Sequence, residues 1–193
     1  MYIIAGLYKG RKLLPPPGSS STRPITGLAK KSLFDILAGR LDGATVLDLY
    51  CGTGTMGLEA LSRGAEHCCF AERDRAVLTR LERNIDAFGV RERCTVWRGD
   101  VTSRLRHWLA GLARPVDVAF VDPPYADVRR WDWQRIAEEV FTPLAGRLAE
   151  GGVVVLRCPA EVALPAEIGP LAIARRQRYG AMVVALLGPR PAE

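Results

Sequence analysis

The 193-residue sequence lacks a long hydrophobic run, a basic leader followed by an apolar stretch, and any Cys-x-x-Cys pair. Crossing a bilayer takes roughly 18 consecutive apolar residues, and the longest apolar runs here have the length of single strands. We therefore expect a cytoplasmic protein without a membrane anchor. The five cysteines are an odd number and the histidines are only two. This composition argues against a zinc site or a disulfide framework, so we expect free thiols and no metal.

The net charge of +6 is concentrated near the start of the chain. Residues 1–40 contain seven of the 27 basic residues but one of the 21 acidic residues, so the charges of the remainder cancel. A localised basic patch is typical of proteins that contact a phosphate backbone, although a solvated surface gives the same count. The residues predicted to contact RNA are Lys9, Arg11, Lys12, Arg23 and Thr26.

Strand and helix patterns alternate from residue 44 onward. This alternation favours an α/β fold with a mostly parallel sheet and helices on both faces. A hairpin is expected near the start, with Gly10 at its turn, and a helix with apolar positions Leu28, Leu33, Ile36 and Leu37 should follow. The predicted strands are 45–50, 68–71, 94–97, 116–121 and 153–157, the helices include 56–62, 74–88 and 131–149, and residues 171–187 form a C-terminal antiparallel hairpin.

One domain covers residues 1–193 in this interpretation. Residues 1–40 form a basic hairpin-and-helix appendage, and residues 41–193 form the catalytic core. The chain is long enough for one well-packed core and short for two. A monomer is the expected state.

A glycine-rich loop follows the first strand of the core, with Asp48 four residues before Gly52 and with Gly54 and Gly57 behind it. Glycines at such a strand-to-helix turn let the backbone approach a ligand closely. The spacing also matches the dinucleotide fingerprint, so an NAD-dependent dehydrogenase is an alternative. Asp48 favours S-adenosylmethionine, because its carboxylate can order the loop and bind the amino group of a methionine moiety.

Acidic residues end the next two strands. Glu72 is placed to accept hydrogen bonds from both ribose hydroxyl groups, and Asp100 is placed to accept one from the adenine amino group. Capping of the following helix explains Asp100 equally well. Three further residues belong to the predicted cofactor site: Tyr50, Arg73 and Val101.

The sequence Asp122-Pro123-Pro124-Tyr125 follows the fourth strand. Two prolines make a rigid loop whose carbonyl groups point outward. The Asp122 carboxylate and the Pro123 carbonyl would accept the two protons of an exocyclic base nitrogen and direct its lone pair to a methyl group. Tyr125 offers a face on which an extruded base can stack. These four residues are the predicted catalytic group.

Several further segments accompany these motifs, including Arg-Pro-Ile-Thr at 23–26, Gly-Leu-Glu-Ala-Leu-Ser-Arg-Gly at 57–64, Glu-Arg-Asp at 72–74 and Tyr179-Gly180. Together they resemble the RsmD-type 16S ribosomal RNA guanine-N2 methyltransferases over nearly the whole chain. The resemblance implies a Rossmann-like fold of seven strands with the last strand pair reversed, S-adenosylmethionine as cofactor, and a guanine of small-subunit ribosomal RNA as substrate. It also implies that the N-terminal hairpin and Arg23 lie near the mouth of the active site.

One segment departs from the family pattern. After Thr26 the family usually continues with Asp-Arg and then Arg-Glu, whereas this chain has Gly-Leu-Ala-Lys-Lys-Ser at 27–32. The departure affects how RNA docks and leaves the chemistry intact. A DNA adenine or cytosine amino methyltransferase and a non-catalytic RNA-binding module are the alternatives, although no length remains for a separate DNA-recognition region.

Overall fold

The computed structural model describes residues 1–18 and 25–190. Two short 3₁₀ turns, Ala38–Arg40 and Arg91–Arg93, join larger elements. The helices and strands are, in chain order, α1 (Gly27–Ile36), β1 (Thr45–Leu49), α2 (Thr55–Ser62), β2 (His67–Glu72), α3 (Arg75–Phe88), β3 (Cys94–Arg98), α4 (Val101–Ala110), β4 (Val116–Val121), α5 (Tyr125–Val128), α6 (Trp133–Ile136), a π-helical segment (Ala137–Phe141), α7 (Thr142–Ala145), β5 (Leu148–Pro159), β6 (Glu167–Ile168), β7 (Leu171–Tyr179) and β8 (Met182–Pro189).

The strands form one sheet in the order β3-β2-β1-β4-β5-β8-β7-β6. Strands β1 to β5 pair in parallel, and β8 runs antiparallel to both β5 and β7. This confirms the mostly parallel sheet with a C-terminal antiparallel hairpin. The sheet has eight strands rather than seven, because β6 adds a two-residue pairing at the edge of β7. Two residues are too few to produce an alternating pattern in the sequence.

The order of the strands locates a crevice at one edge of the sheet. The chain leaves β1 towards β2 and β3 on one side, and later returns to β4 and β5 on the other. Beyond the carboxyl ends of β1 and β4 the connections therefore diverge and leave a crevice, which is where ligands bind in open α/β sheets.

Helices cover both faces of the sheet. One core cluster contains Phe34 of α1 and Leu81 of α3, and the other contains Leu105 of α4 and Phe141 of the π-helical segment. The helix expected over 131–149 ends earlier, since α7 stops at Ala145 and β5 begins at Leu148. No helix of the described residues is both long and apolar enough to span a membrane. All five cysteines are free, and four of them are buried.

The expected N-terminal hairpin is present, but only one pair of residues forms a β-bridge. Tyr2 and Lys12 form a single antiparallel bridge, and the amide of Ile3 donates to the carbonyl of Arg11 at 3.0 Å. Ile3 and Leu13 are buried in the same core cluster as β1, so this segment packs on the core. The division of the chain at residue 40 stays a prediction.

The helix after the loop is α1, but one of its expected apolar positions is wrong. Leu28 is 77% exposed, whereas Lys30 is buried beside Leu33 and Phe34. Thr26 caps the helix, because its hydroxyl oxygen accepts from the amide of Ala29 at 3.3 Å.

Candidate active site

A cavity of about 580 Å³ opens at the carboxyl edge of the sheet. That volume lies within the range of small-molecule sites. Met1 and Ile25 also line it, so parts of the N-terminal segment border the cavity. Nine of the predicted site residues line the cavity: Asp48, Tyr50, Gly52, Glu72, Arg73, Asp100, Val101, Asp122 and Pro124.

Asp48 is fully buried and acts on the glycine-rich loop. Its Oδ2 accepts from the amide of Gly57 at 2.8 Å, as expected for a carboxylate that orders the loop. Its Oδ1 is buried without a hydrogen-bond partner among the described residues. Burial raises the pKa of Asp48 well above its usual value, and the neighbouring Asp122 and Glu72 carboxylates add to that effect. A cationic group that binds in the cavity beside Asp48 would offset the cost of burying its ionised carboxylate.

The loop backbone bends through left-handed conformations. Tyr50 has φ = 60°, the one described non-glycine residue with a positive φ, and Gly52 has φ = 56°. A Cβ on Gly52 would meet no atom within 4 Å, so its backbone faces open space in the cavity. Gly54 has a different position, because a Cβ there would come within 2.5 Å of Leu81. Gly54 therefore lets the loop pack on α3 and does not line the cavity.

Glu72 connects the ends of the first two strands. Its Oε2 accepts from the amide of Gly52 at 3.1 Å, and its Oε1 accepts from the amides of Arg73 and Asp74 at 2.8 and 2.9 Å. Each carboxylate oxygen has two acceptor positions, so Oε2 retains one for a ligand. Asp74 caps α3 through the amides of Ala76 and Val77, as its position predicts.

Asp100 caps α4, since its Oδ1 accepts from the amide of Thr102 at 2.9 Å. Its Oδ2 lies 3.2 Å from Arg73 Nη1, and the same guanidinium reaches Asp127 at 3.3 Å. Although burial opposes it, hydrogen bonds from Thr102 and Arg73 lower the pKa of Asp100. Asp100 therefore remains ionised on the cavity wall.

Asp122 and Pro124 line the cavity, whereas Pro123, which lies between them, and Tyr125, which follows them, do not. Arg157, at the end of β5, donates from Nε to Asp122 Oδ1 at 2.5 Å. The Arg157 guanidinium also lies 5.6 Å from the centre of the Tyr125 ring. Burial raises the pKa of Asp122, and Arg157 opposes that rise. Sequence reasoning missed Arg157, and its one indication is a charge that follows the apolar run 153–156 of a buried strand.

The predicted RNA-contacting residues are spread over the N-terminal segment. Lys9 and Lys12 are exposed. Arg11 is exposed too, but its guanidinium lies 4.5 Å from the Phe88 ring and hydrogen-bonds the carbonyl of Ala87. Arg23 lies outside the described residues.

Strand β7 carries three exposed arginines, of which Arg176 and Arg178 lie on one face of the strand and Arg175 on the other. None of these arginines has a carboxylate within 4.0 Å in the described part of the chain. Because β7 runs parallel to β5, Arg178 lies near the catalytic edge of the sheet. The charge count overlooked these arginines because it pooled residues 41–193, although residues 168–192 alone contain four arginines and no acid.

Comparisons with known proteins agree with this architecture. A family model described as conserved hypothetical protein 95 matches residues 1–188. The Bacillus subtilis protein YlbH is 34% identical over 190 residues, which cover 98% of this chain and 100% of YlbH. Ribosomal RNA small subunit methyltransferase D of Escherichia coli K12 is 34% identical over 168 residues, covering 84% of this chain and 77% of that protein.

Solved structures give the same result. Escherichia coli yhhF superposes with a TM-score of 0.79 at 30% identity, covering 98% of this chain and 97% of yhhF. A hypothetical protein from Thermus thermophilus also reaches a TM-score of 0.79, at 28% identity, over 97% of this chain and 99% of its own. The protein therefore belongs to the family described as conserved hypothetical protein 95, the RsmD family of methyltransferases, as the motifs predicted.

Proposed function

We propose that this protein is an S-adenosylmethionine-dependent ribosomal RNA methyltransferase that modifies the exocyclic N2 amino group of a guanine in 16S ribosomal RNA. The observation that supports it best is the meeting of two carboxylates in one cavity, the fully buried Asp48 near the end of β1 and the partly buried Asp122 directly after β4. The relative named ribosomal RNA small subunit methyltransferase D supports the class of substrate. A monomer in the cytoplasm, acting on the small subunit or its precursor, completes the proposal.

The residues of the cavity fit S-adenosylmethionine. The unpartnered Oδ1 of Asp48 suits the cationic amino group of the methionine moiety. The free acceptor position of Glu72 suits the ribose, while Asp100 and Val101 suit the adenine. Gly52 leaves room for the ligand against the loop backbone. When bound, this cofactor supplies an electrophilic methyl group on a sulfonium.

The Asp-Pro-Pro-Tyr loop binds and orients the target amino group. Asp122 and the carbonyl of Pro123 accept its two hydrogens, which directs the nitrogen lone pair into the cavity. One of those hydrogens is lost as a proton after the methyl transfer. Tyr125 stacks on the extruded base and excludes water from one side.

Basic residues outside the cavity bind the RNA backbone. Lys9 and Lys12 are exposed beside the segment that lines the cavity mouth, and exposed arginines on β7 extend the positive surface along the same edge. Contacts with phosphate give affinity, while the cavity selects the base.

The test uses S-adenosylmethionine labelled in the methyl group, with unmodified small-subunit particles, naked ribosomal RNA and duplex DNA as parallel substrates. The wild-type protein is compared with Asp122→Ala, and the modified base is identified by mass. We expect transfer to guanine N2 of ribosomal RNA and its loss in the variant, with cofactor binding retained.

The other outcomes separate the alternatives. Transfer to DNA alone would reject the ribosomal substrate and keep the amino-group chemistry. Binding of NAD without competition from S-adenosylmethionine would favour a dehydrogenase. Binding of RNA without any binding of S-adenosylmethionine would favour a module without catalysis.

A further inference from the structure

Arg157 is a buried cation that belongs to none of the sequence motifs. Leu156, the residue before it, pairs with Val121, the last residue of β4. The side chain therefore starts beside the first residue of the catalytic loop. The Arg157 and Asp122 side chains are only 11% and 20% exposed, and they lie 2.5 Å apart.

The charges around Asp122 come from three elements. Arg157 faces it from β5, Asp48 is a second carboxylate on β1, and the Tyr125 hydroxyl belongs to the catalytic loop. Two carboxylates in one poorly solvated cavity favour protonation of at least one of them. Arg157 is the cation in direct contact with Asp122, so its charge opposes that protonation.

We propose that Arg157 is a positioning residue that holds Asp122 as a carboxylate, with Oδ1 on the guanidinium and Oδ2 left to accept the amino hydrogen of the target base. The inference deepens the proposed function and rests on it. A protonated Asp122 would present a donor to a substrate that is itself a donor, so binding of the amino group depends on this ion pair.

The same contact decides where the proton goes. During transfer the C–S bond of the sulfonium methyl donor breaks, a C–N bond to the base forms, and an N–H bond of the base then breaks. Asp122 Oδ2, already hydrogen-bonded to that N–H, takes up the proton and then releases it to water.

Arg157 also orders the second half of the loop. Its guanidinium lies over one face of the Tyr125 ring at 5.6 Å, a distance typical of a cation–π contact. The target base would then stack on the opposite face. The Arg157 side chain thus holds both the Asp122 carboxylate, which accepts the amino hydrogen, and the Tyr125 ring, on which the base stacks.

The test measures kcat/KM against pH for the wild type, Arg157→Gln and Arg157→Lys. It repeats the glutamine change in an Asp122→Asn background, where no carboxyl titrates at that position. We expect activity to fall at acid pH, with a midpoint that moves at least about one pH unit higher in Arg157→Gln. Arg157→Lys should restore the wild-type midpoint in part. In the Asp122→Asn background, the glutamine change should move no midpoint.

A second readout needs no methyl transfer. Titration of Asp122 by carboxyl ¹³C NMR should show the same upward shift in Arg157→Gln. If that variant loses its folded near-UV spectrum, Arg157→Met, which keeps an apolar stem, replaces it. The inference would be overturned if Arg157→Gln left the titration of Asp122 unchanged, or if the variant were active with the same decline of kcat/KM at acid pH as the wild type. A wild type inactive on every RNA whose Asp122 titration still responds to Arg157 would reject the proposed function and support the ion pair alone.

Discussion

Lys30 Nζ lies 2.8 Å from Glu59 Oε2, and the side chains of both residues are almost completely buried. Glu59 also accepts from the amides of Ile4 and Ala5 at 2.9 and 3.1 Å, and from Arg63 at 2.8 Å. One carboxylate therefore joins the N-terminal segment, α1 and α2. The lysine belongs to the segment that departs from the family pattern, so that segment supplies a buried, paired cation.

Glu59→Ala should destabilise the protein by about 3–5 kcal/mol, because it leaves two cations and two amides without their buried partner. Urea unfolding gives the free energy, and hydrogen exchange at Ile4 and Ala5 reports on release of the N-terminal segment. Lys31→Ala is the matched control, since Lys31 and Asp35 lie 2.7 Å apart but are mostly exposed. That pair should contribute less than about 1 kcal/mol. Equal losses in both variants would contradict the role of burial.

Asp48→Asn should weaken S-adenosylmethionine binding at least about tenfold, because a charged hydrogen-bond partner of the amino group is lost. Without cofactor, the variant should be more stable than the wild type at neutral pH. Burial raises the folded-state pKa of Asp48, so the wild type loses stability as pH rises above the unfolded value of about 3.9. Calorimetric titration and thermal unfolding at pH 4 and pH 7 check both statements. A stability difference that shrinks as pH rises would have the wrong sign.

Gly52 of the glycine-rich loop and Gly57 of α2 should respond differently to alanine. A Cβ on Gly57 would lie 2.3 Å from Phe70 Cε1 and 2.6 Å from Cys68 Sγ, so Gly57→Ala should cost about 1–3 kcal/mol of stability. Gly52→Ala meets no protein atom and carries only the strain of a positive φ, roughly 1–2 kcal/mol. Its methyl group lies at the cavity, so cofactor affinity should fall as well. Thermal unfolding and calorimetric titration of both variants separate packing from ligand contact, and unchanged affinity in Gly52→Ala would place the cofactor elsewhere.

Asp100 allows its two roles to be separated by a pair of substitutions. Asp100→Ala removes the cap of α4 and should cost about 1 kcal/mol of stability, whereas Asp100→Asn retains a capping oxygen. We expect both variants to bind S-adenosylmethionine more weakly, with the larger effect in Asp100→Ala. If neither variant changes cofactor affinity, Asp100 is a helix cap and nothing more.

Charge reversal on β7 tests the RNA surface. The double variant Arg176→Glu with Arg178→Glu, at two positions on the same face of β7, should weaken binding of ribosomal RNA and flatten its salt dependence by about one unit of slope per lost phosphate contact. Filter binding at several salt concentrations measures both quantities. Arg114→Glu is the control, since Arg114 precedes β4 at the opposite edge of the sheet. An equal loss in the control would mean that total charge, rather than this surface, governs binding.

Local patterns in the sequence were enough for the architecture and most of the site. Alternating strand and helix patterns predict a parallel sheet. They can be recognised in the sequence because the spacing of apolar residues in a strand or a helix involves only residues that are close along the chain. Acids and glycines that end strands predict the cavity wall, because the carboxyl ends of parallel strands share one edge. Asp48, Glu72 and Asp122 meet there as expected.

Only the tertiary structure decided which charges are paired and which are buried. Arg157 neutralises Asp122 across 35 positions of the chain, and Lys30 replaces Leu28 on the buried face of α1 because Glu59 lies opposite. Arg175 and Arg178 have no carboxylate within 4.0 Å among the described residues, although acids and bases balance over residues 41–193 as a whole. The physical reason is common to all three. A charge is stabilised by whatever lies within a few ångströms in space, and the order of residues along the chain does not specify that neighbour.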